Sequence, residues 1–250
     1  MNDQSIRIKN LIVAYHAQPV LWNVSVDVNR GKLTAILGPN GAGKSSMLNA
    51  VLNLVKPITG EIDFSIDDDR WQAFEEVQKH IAYVPQKSSV DWDFPSTVLD
   101  VVVMGRYAHL GWFKRPKKKD VEIAEQKLDA VGMLPFKDRQ ISQLSGGQRQ
   151  RVFLARALAQ EAEVYLLDEP LAGVDIKTEK VIIRLLRELV DDDKTVVVVH
   201  HDLQTVEEYF DDVILLNHEI IQTGSVSEAF TEENVEETFR RDRNADEAVL

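Results

Sequence analysis

The sequence predicts an α/β fold: a core built on a mainly parallel sheet, an antiparallel β subdomain at its front and an inserted α-helical subdomain. Three observations carry that prediction. Short apolar runs of strand length recur at Leu33–Leu37, residues 164–167 and Thr195–Val199, with helical patterns between them. Apolar strands alternating with helices read as a parallel sheet covered on both faces. Residues 1–30 instead alternate apolar with polar, as half-buried antiparallel strands do, and residues 86–137 carry mostly helical periodicity.

Taken in order, Ile6, Ile8, Leu11 and Val13 lead to Tyr15 as one strand, and Val24, Val26 and Val28 mark a second. Asn29-Arg30-Gly31 is a turn, and the buried strand after it stops at Gly38. A helix is expected over 43–53, ended by Lys56-Pro57 and Thr59-Gly60. In the middle stretch, punctuated by Pro95, Pro116 and Pro135, helices are expected over 98–104 and 120–131. A helix over 146–158, a strand over 164–167, a helix over 176–189 and a strand over 195–199 complete the core. The expected organisation is one domain, with a core over about 1–86 and 160–231, a helical subdomain over about 87–159 and a charged helix and tail over 232–250.

Composition excludes several classes. With 250 residues, 44% hydrophobic and 28% charged, the chain can bury a sizeable core and cover it. It has no cysteine, so neither disulfides nor thiolate metal sites are available. A net charge of −12 argues against nucleic acid as a partner, because phosphate backbones select a basic face. The polar start shows no signal-peptide pattern, and no run approaches the roughly 20 apolar residues of a membrane-spanning helix. A membrane role must therefore come through a partner chain.

Gly38-Pro39-Asn40-Gly41-Ala42-Gly43-Lys44-Ser45 matches the phosphate-binding loop in full, between an expected strand and an expected helix. Glycines let backbone N–H groups converge on phosphate oxygens, and the following helix adds a partial positive charge. Lys44 brings an ammonium to the β- and γ-phosphates, and Ser45, followed by Ser46, offers a hydroxyl to Mg²⁺. A second motif, Val164-Tyr165-Leu166-Leu167-Asp168-Glu169-Pro170, is an apolar strand ending in two carboxylates. Asp168 is assigned to Mg²⁺ through water and Glu169 to the attacking water as general base. The third is Leu144-Ser145-Gly146-Gly147-Gln148 at a helix start. Ser145 and Gln148 fit a capping box, but capping does not explain two glycines that each cost roughly 1 kcal/mol inside a helix. Bare backbone at a positive helix end suits close approach to an anion.

The set resembles the ATP-binding cassette family over about residues 15–210, and the five-residue signature is nearly diagnostic. The resemblance implies the ABC ATPase fold, ATP and Mg²⁺ as ligands, and a head-to-tail homodimer in which Ser145, Gly146 and Gly147 face the γ-phosphate held by the other copy. It also implies that Gln86 is the flexible glutamine reaching Mg²⁺, and that His201 is the switch histidine sensing the γ-phosphate. Asp175, within Leu171-Ala172-Gly173-Val174-Asp175, resembles the aspartate linking the two sites, although this wording departs from the commoner one. Tyr15 stands where the family stacks an aromatic on adenine; a core tyrosine ending a strand is the alternative.

The insert, from Trp92-Asp93-Phe94-Pro95 to Gly105-Arg106-Tyr107 and Gly111-Trp112-Phe113, resembles the ATPase subunits of bacterial metal-ion importers for manganese, with zinc and iron relatives. Such subunits work with a membrane permease and an extracellular metal-binding protein, at the cytoplasmic face of the membrane. Trp92, Phe94, Trp112 and Phe113 could line a permease groove or form the subdomain's own core. The basic run 114–119 could meet lipid headgroups or be a solvated turn. An ABC ATPase without transport, as in iron–sulfur assembly, is the alternative function; its discriminator is the partner.

Overall fold

The computed structural model describes residues 3–16, 18–66, 70–86, 95–110 and 114–247, with side chains placed through Arg240. Trp92, Phe94, Trp112 and Phe113 lie outside the described residues. In chain order the first elements are β1 (Gln4–Tyr15), β2 (Gln18–Asn29), β3 (Leu33–Leu37), α1 (Lys44–Val51), β4 (Thr59–Phe64) and α2 (Phe74–Val77). Next come β5 (Ile81–Val84), α3 (Val98–Val103), α4 (Lys118–Ala130), α5 (Gly146–Ala159), β6 (Val164–Asp168) and α6 (Ile176–Asp191). The chain ends with β7 (Thr195–Val199), α7 (Val206–Tyr209), β8 (Asp212–Asn217), β9 (Glu219–Ser225), α8 (Val226–Ala229) and α9 (Glu232–Glu247). They form two compact units, one running to Gln78 and resuming at Val190, the other spanning Lys79–Leu189.

The first unit holds two kinds of sheet. β1 lies antiparallel between β2 and β4, and its inward residues Ile6, Ile8, Leu11 and Val13 are buried, as their alternation predicts. β3 lies parallel between β7 and β8, with Ile36 opposite both Val199 and Ile214, while β9 returns antiparallel to β8. Every residue of β3 and β7 is buried, which is why both read as unbroken apolar runs rather than alternating ones. No Gly or Pro marks the turn of the β8–β9 hairpin in the sequence. Asn217 and Glu219 face each other in register, so His218 alone reverses the chain, at φ 62. β4 is also missed: Thr59-Gly60 begins a strand instead of merely ending a helix. At the far end, the Asn217 amide donates to the carbonyl of Thr238 at 2.8 Å and ties α9 to the hairpin.

In the second unit, β5 and β6 pair in parallel, Val84 opposite Leu167, and α3, α4 and α5 pack together. Val102, Ala124, Leu128 and Val152 are fully buried among them. α3 stops one residue short of expectation. The chain tightens into a 3₁₀ turn over Met104–His109, and Gly105 comes so close to α5 that a Cβ there would lie 2.1 Å from the Arg156 carbonyl oxygen. Arg106 is consequently buried. Its guanidinium donates to Asp120 at 3.3 Å, to the Ala159 carbonyl at 2.7 Å and to Glu161 at 2.6 Å. The Lys117 backbone amide, with help from Arg106 against desolvation, holds the Asp120 carboxyl below the usual range. α4 begins at Lys118, two residues before the expected start, and Lys114, Arg115 and Lys117–Lys119 ahead of and within its first turn are exposed.

Candidate active site

In the first unit the loop after β3 folds back over the start of α1. Gly38 passes so close to β8 that a Cβ would lie 1.9 Å from the Leu216 carbonyl oxygen, and Gly43 takes a left-handed φ of 94 at the helix cap. Only glycine meets both demands. Gly41, also left-handed at φ 85, faces open space, while Pro39 and Ala42 are buried and Asn40 is exposed. Lys44 is 7% exposed, and its ammonium donates to the carbonyls of Gly38 and Pro39 at 2.7 Å each. Those charge-assisted bonds make burial of the cation tolerable and hold it inside its own loop. Ser45 and Ser46 follow in the first turn of α1. Because β7 lies beside β3, His200 and His201 leave the sheet at the same edge as this loop. His200 is committed to the interior: its Nε2 meets the Thr205 hydroxyl at 2.8 Å and its ring lies 5.1 Å from that of Phe210. His201 is exposed. Tyr15, 39% exposed at the end of β1, keeps part of its ring open.

In the second unit the register of β5 and β6 brings Gln86 and the carboxylate pair to one edge. Gln86 Nε2 donates to Glu169 Oε2 at 2.9 Å. Asp168 is 3% exposed, whereas Glu169 steps out of the strand with φ 51, so the neighbouring carboxylates diverge and can serve different tasks. Tyr83, an aromatic within the short strand β5 that no sequence motif marks, belongs to this edge as well. Burial first, and the Asp168 charge second, push its phenol up to about 12. It therefore stays a neutral wall beside the buried carboxylate.

Ser145 caps α5 as the spacing predicts: its hydroxyl accepts from the Gln148 amide at 3.4 Å, and the Gln148 side chain accepts from the Ser145 amide at 2.9 Å. Gly146 and Gly147 open the helix with ordinary negative φ, and a Cβ on Gly147 would meet nothing within 4 Å. Among the described residues nothing requires glycine at 147. Gly147→Ala should accordingly leave the melting temperature equal or higher, by up to about 1 kcal/mol in stability, while lowering ATP turnover. Calorimetry paired with a phosphate-release assay checks the dissociation; unimpaired turnover would remove the residue from the site. Asp175 caps α6, its two oxygens accepting from the Thr178 amide at 3.1 Å and hydroxyl at 2.8 Å, which draws its carboxyl below the usual range. Among the described residues no cluster of three or more His, Asp or Glu could hold a metal ion.

Residues 21–172 match the family model described as ABC transporter. The chain belongs to the ABC transporter family. It is 52% identical over 234 residues to the manganese transport system ATP-binding protein MntB of Bacillus subtilis (strain 168), covering 94% of this chain and 92% of that one. It is 51% identical over 235 residues to the zinc transport system ATP-binding protein TroB of Treponema pallidum (strain Nichols), covering 94% and 86%. Among solved structures, an ABC transporter in an inward-facing conformation superposes with a TM-score of 0.81 at 32% identity, over 95% of this chain and 89% of that one. An ATP-binding cassette in a dimeric post-hydrolysis state, with ADP and phosphate bound, superposes with a TM-score of 0.75 at 30% identity, over 88% and 98%. As an ABC ATPase domain, this chain binds ATP. Among the described residues no helix is long and apolar enough to cross a membrane.

Proposed function

We propose that the chain is the ATP-hydrolysing subunit of a manganese importer, with zinc or iron as the alternative cargo. What carries this reading is the extent of its likeness to subunits named for manganese and zinc transport systems. The assembly ATPase reading has no observation in its favour.

In the proposed cycle the loop around Lys44 holds the ATP phosphates, and Tyr15 stacks on adenine. Ser45 and Gln86 would hold Mg²⁺ directly and Asp168 would hold it through water; hydroxyl, amide and carboxylate oxygens are the partners this hard cation prefers. When bound, Mg²⁺ would neutralise charge on the β- and γ-phosphates. Glu169 takes the proton of a water whose oxygen attacks the γ-phosphorus, and ADP leaves with the bridging oxygen. His201 senses the γ-phosphate. A second copy offers Ser145, Gly146 and Gly147 to that phosphate, so ATP closes a homodimer around two shared sites, coupled through Asp175. Hydrolysis removes the contact that held the copies together, and the helical segment over 87–159 passes the opening to a membrane permease, which receives metal from an extracellular binding protein. The chain thus works at the cytoplasmic face of the membrane, and nucleic acid has no part in the cycle.

The test is reconstitution with its permease in vesicles that carry the ATPase face outward. ATP should deplete manganese from the lumen. ATP turnover without movement of manganese, zinc or iron would defeat the transport reading, and ATP-driven filling of the lumen would defeat import.

A further inference from the structure

We infer that His218, at the apex of the hairpin between β8 and β9, is a positioning residue for the phosphate-binding loop. The inference rests on the proposal that this loop holds ATP. Three bonds converge on the residue. Its amide donates to the carbonyl of Ala42, inside the loop, at 3.0 Å; its carbonyl accepts from the amide of Trp22 at 2.8 Å; and its Nδ1 lies 2.9 Å from the carbonyl of Val20. A carbonyl only accepts, so Nδ1 carries the hydrogen.

These contacts join the two walls between which the loop runs. On one side a Cβ at Gly38 would strike the Leu216 carbonyl at 1.9 Å; on the other, a Cβ at Gly43 would strike Leu21 Cδ2 at 2.4 Å and come within 3.1 Å of the Val20 carbonyl. The loop therefore has no slack at either end, and its shape depends on how far the β2 wall stands from the β8 wall. The amide and carbonyl of His218 would bond as they do with any side chain at that position. The imidazole alone adds the tie to Val20, and it does so from an exposed residue held at φ 62, a region that only a few residue types adopt readily. A loop whose N–H groups must converge on phosphate oxygens loses affinity when its walls drift apart, without losing its catalytic carboxylate.

Two substitutions separate the side-chain donor from the backbone. His218→Gly accepts the left-handed backbone and deletes the donor; His218→Asn also accepts it and puts an amide N–H on Cγ, where Nδ1 was. In the full chain the Gly variant should bind ATP about fivefold more weakly, the worth of one net hydrogen bond, and Asn should restore binding to within about twofold. With the permease present, the loss should fall on KM for ATP and leave kcat within about twofold. Equal binding by all three proteins overturns the inference, as does an Asn variant as weak as Gly. A fall in the nucleotide-free melting temperature of Gly alone, with KM unchanged, also overturns it by assigning His218 to stability. Failure of the underlying reading looks different: with His218 in place, Lys44→Ala would then leave ATP binding unchanged.

Discussion

Glu169→Gln should reduce steady-state ATP turnover by about 10²- to 10⁴-fold, the usual contribution of a positioned general base. The amide is nearly isosteric, so the bond from Gln86, now 2.9 Å from Oε2, can be kept by the remaining carbonyl oxygen. ATP binding should survive, and ATP should trap the homodimer in its closed form because the γ-phosphate is no longer consumed. Phosphate release and size-exclusion chromatography with ATP and Mg²⁺ read the two effects separately. Near-normal turnover would take the base assignment from Glu169. A variant that stays a monomer with ATP, alone and with its permease, would argue against the shared sites.

Lys44→Ala should abolish hydrolysis for a different reason, raising the dissociation constant for ATP by about 10²-fold or more. The substitution removes the ammonium proposed to meet two phosphates, and charge-assisted bonds are each worth roughly 1.5–3 kcal/mol. It also leaves the carbonyls of Gly38 and Pro39 without the donor that meets each at 2.7 Å, so the loop itself should loosen. Titration with a fluorescent ATP analogue measures the first effect, and amide hydrogen exchange over Gly38–Gly43 the second. Affinity within about threefold of the parent chain would remove Lys44 from the phosphate site. Together the two variants separate grip from chemistry, since one should bind without turning over and the other should scarcely bind.

The sequence carried much of the fold because its strands are buried on both faces. β3 and β7 have no polar side to confuse the period, and the capping box of Ser145 and Gln148 fixes the start of α5. What escaped was governed by tertiary contact. β4 begins with a Thr-Gly pair that reads locally as a helix stop, and its strand character comes from pairing with β1, far away in sequence. The β8–β9 turn depends on a left-handed histidine, which no composition rule flags. At the site, the carboxylate pair was legible from the apolar strand that ends in it and Gln86 only through the family resemblance, and their meeting follows from strand register. Tyr83 was not, because an aromatic on a short strand looks like ordinary core until the carboxylate beside it is known.

The backbone of Glu169 sets activity against durability. An L-residue with a side chain beyond Cβ is held there in the left-handed region, at an expense on the order of 1 kcal/mol that glycine escapes and asparagine lessens. Selection for heat resistance alone would erode this position toward those two residues, and with it the proposed proton acceptor. Glutamate persisting there through rounds of stabilising evolution would be a signature of selection for turnover.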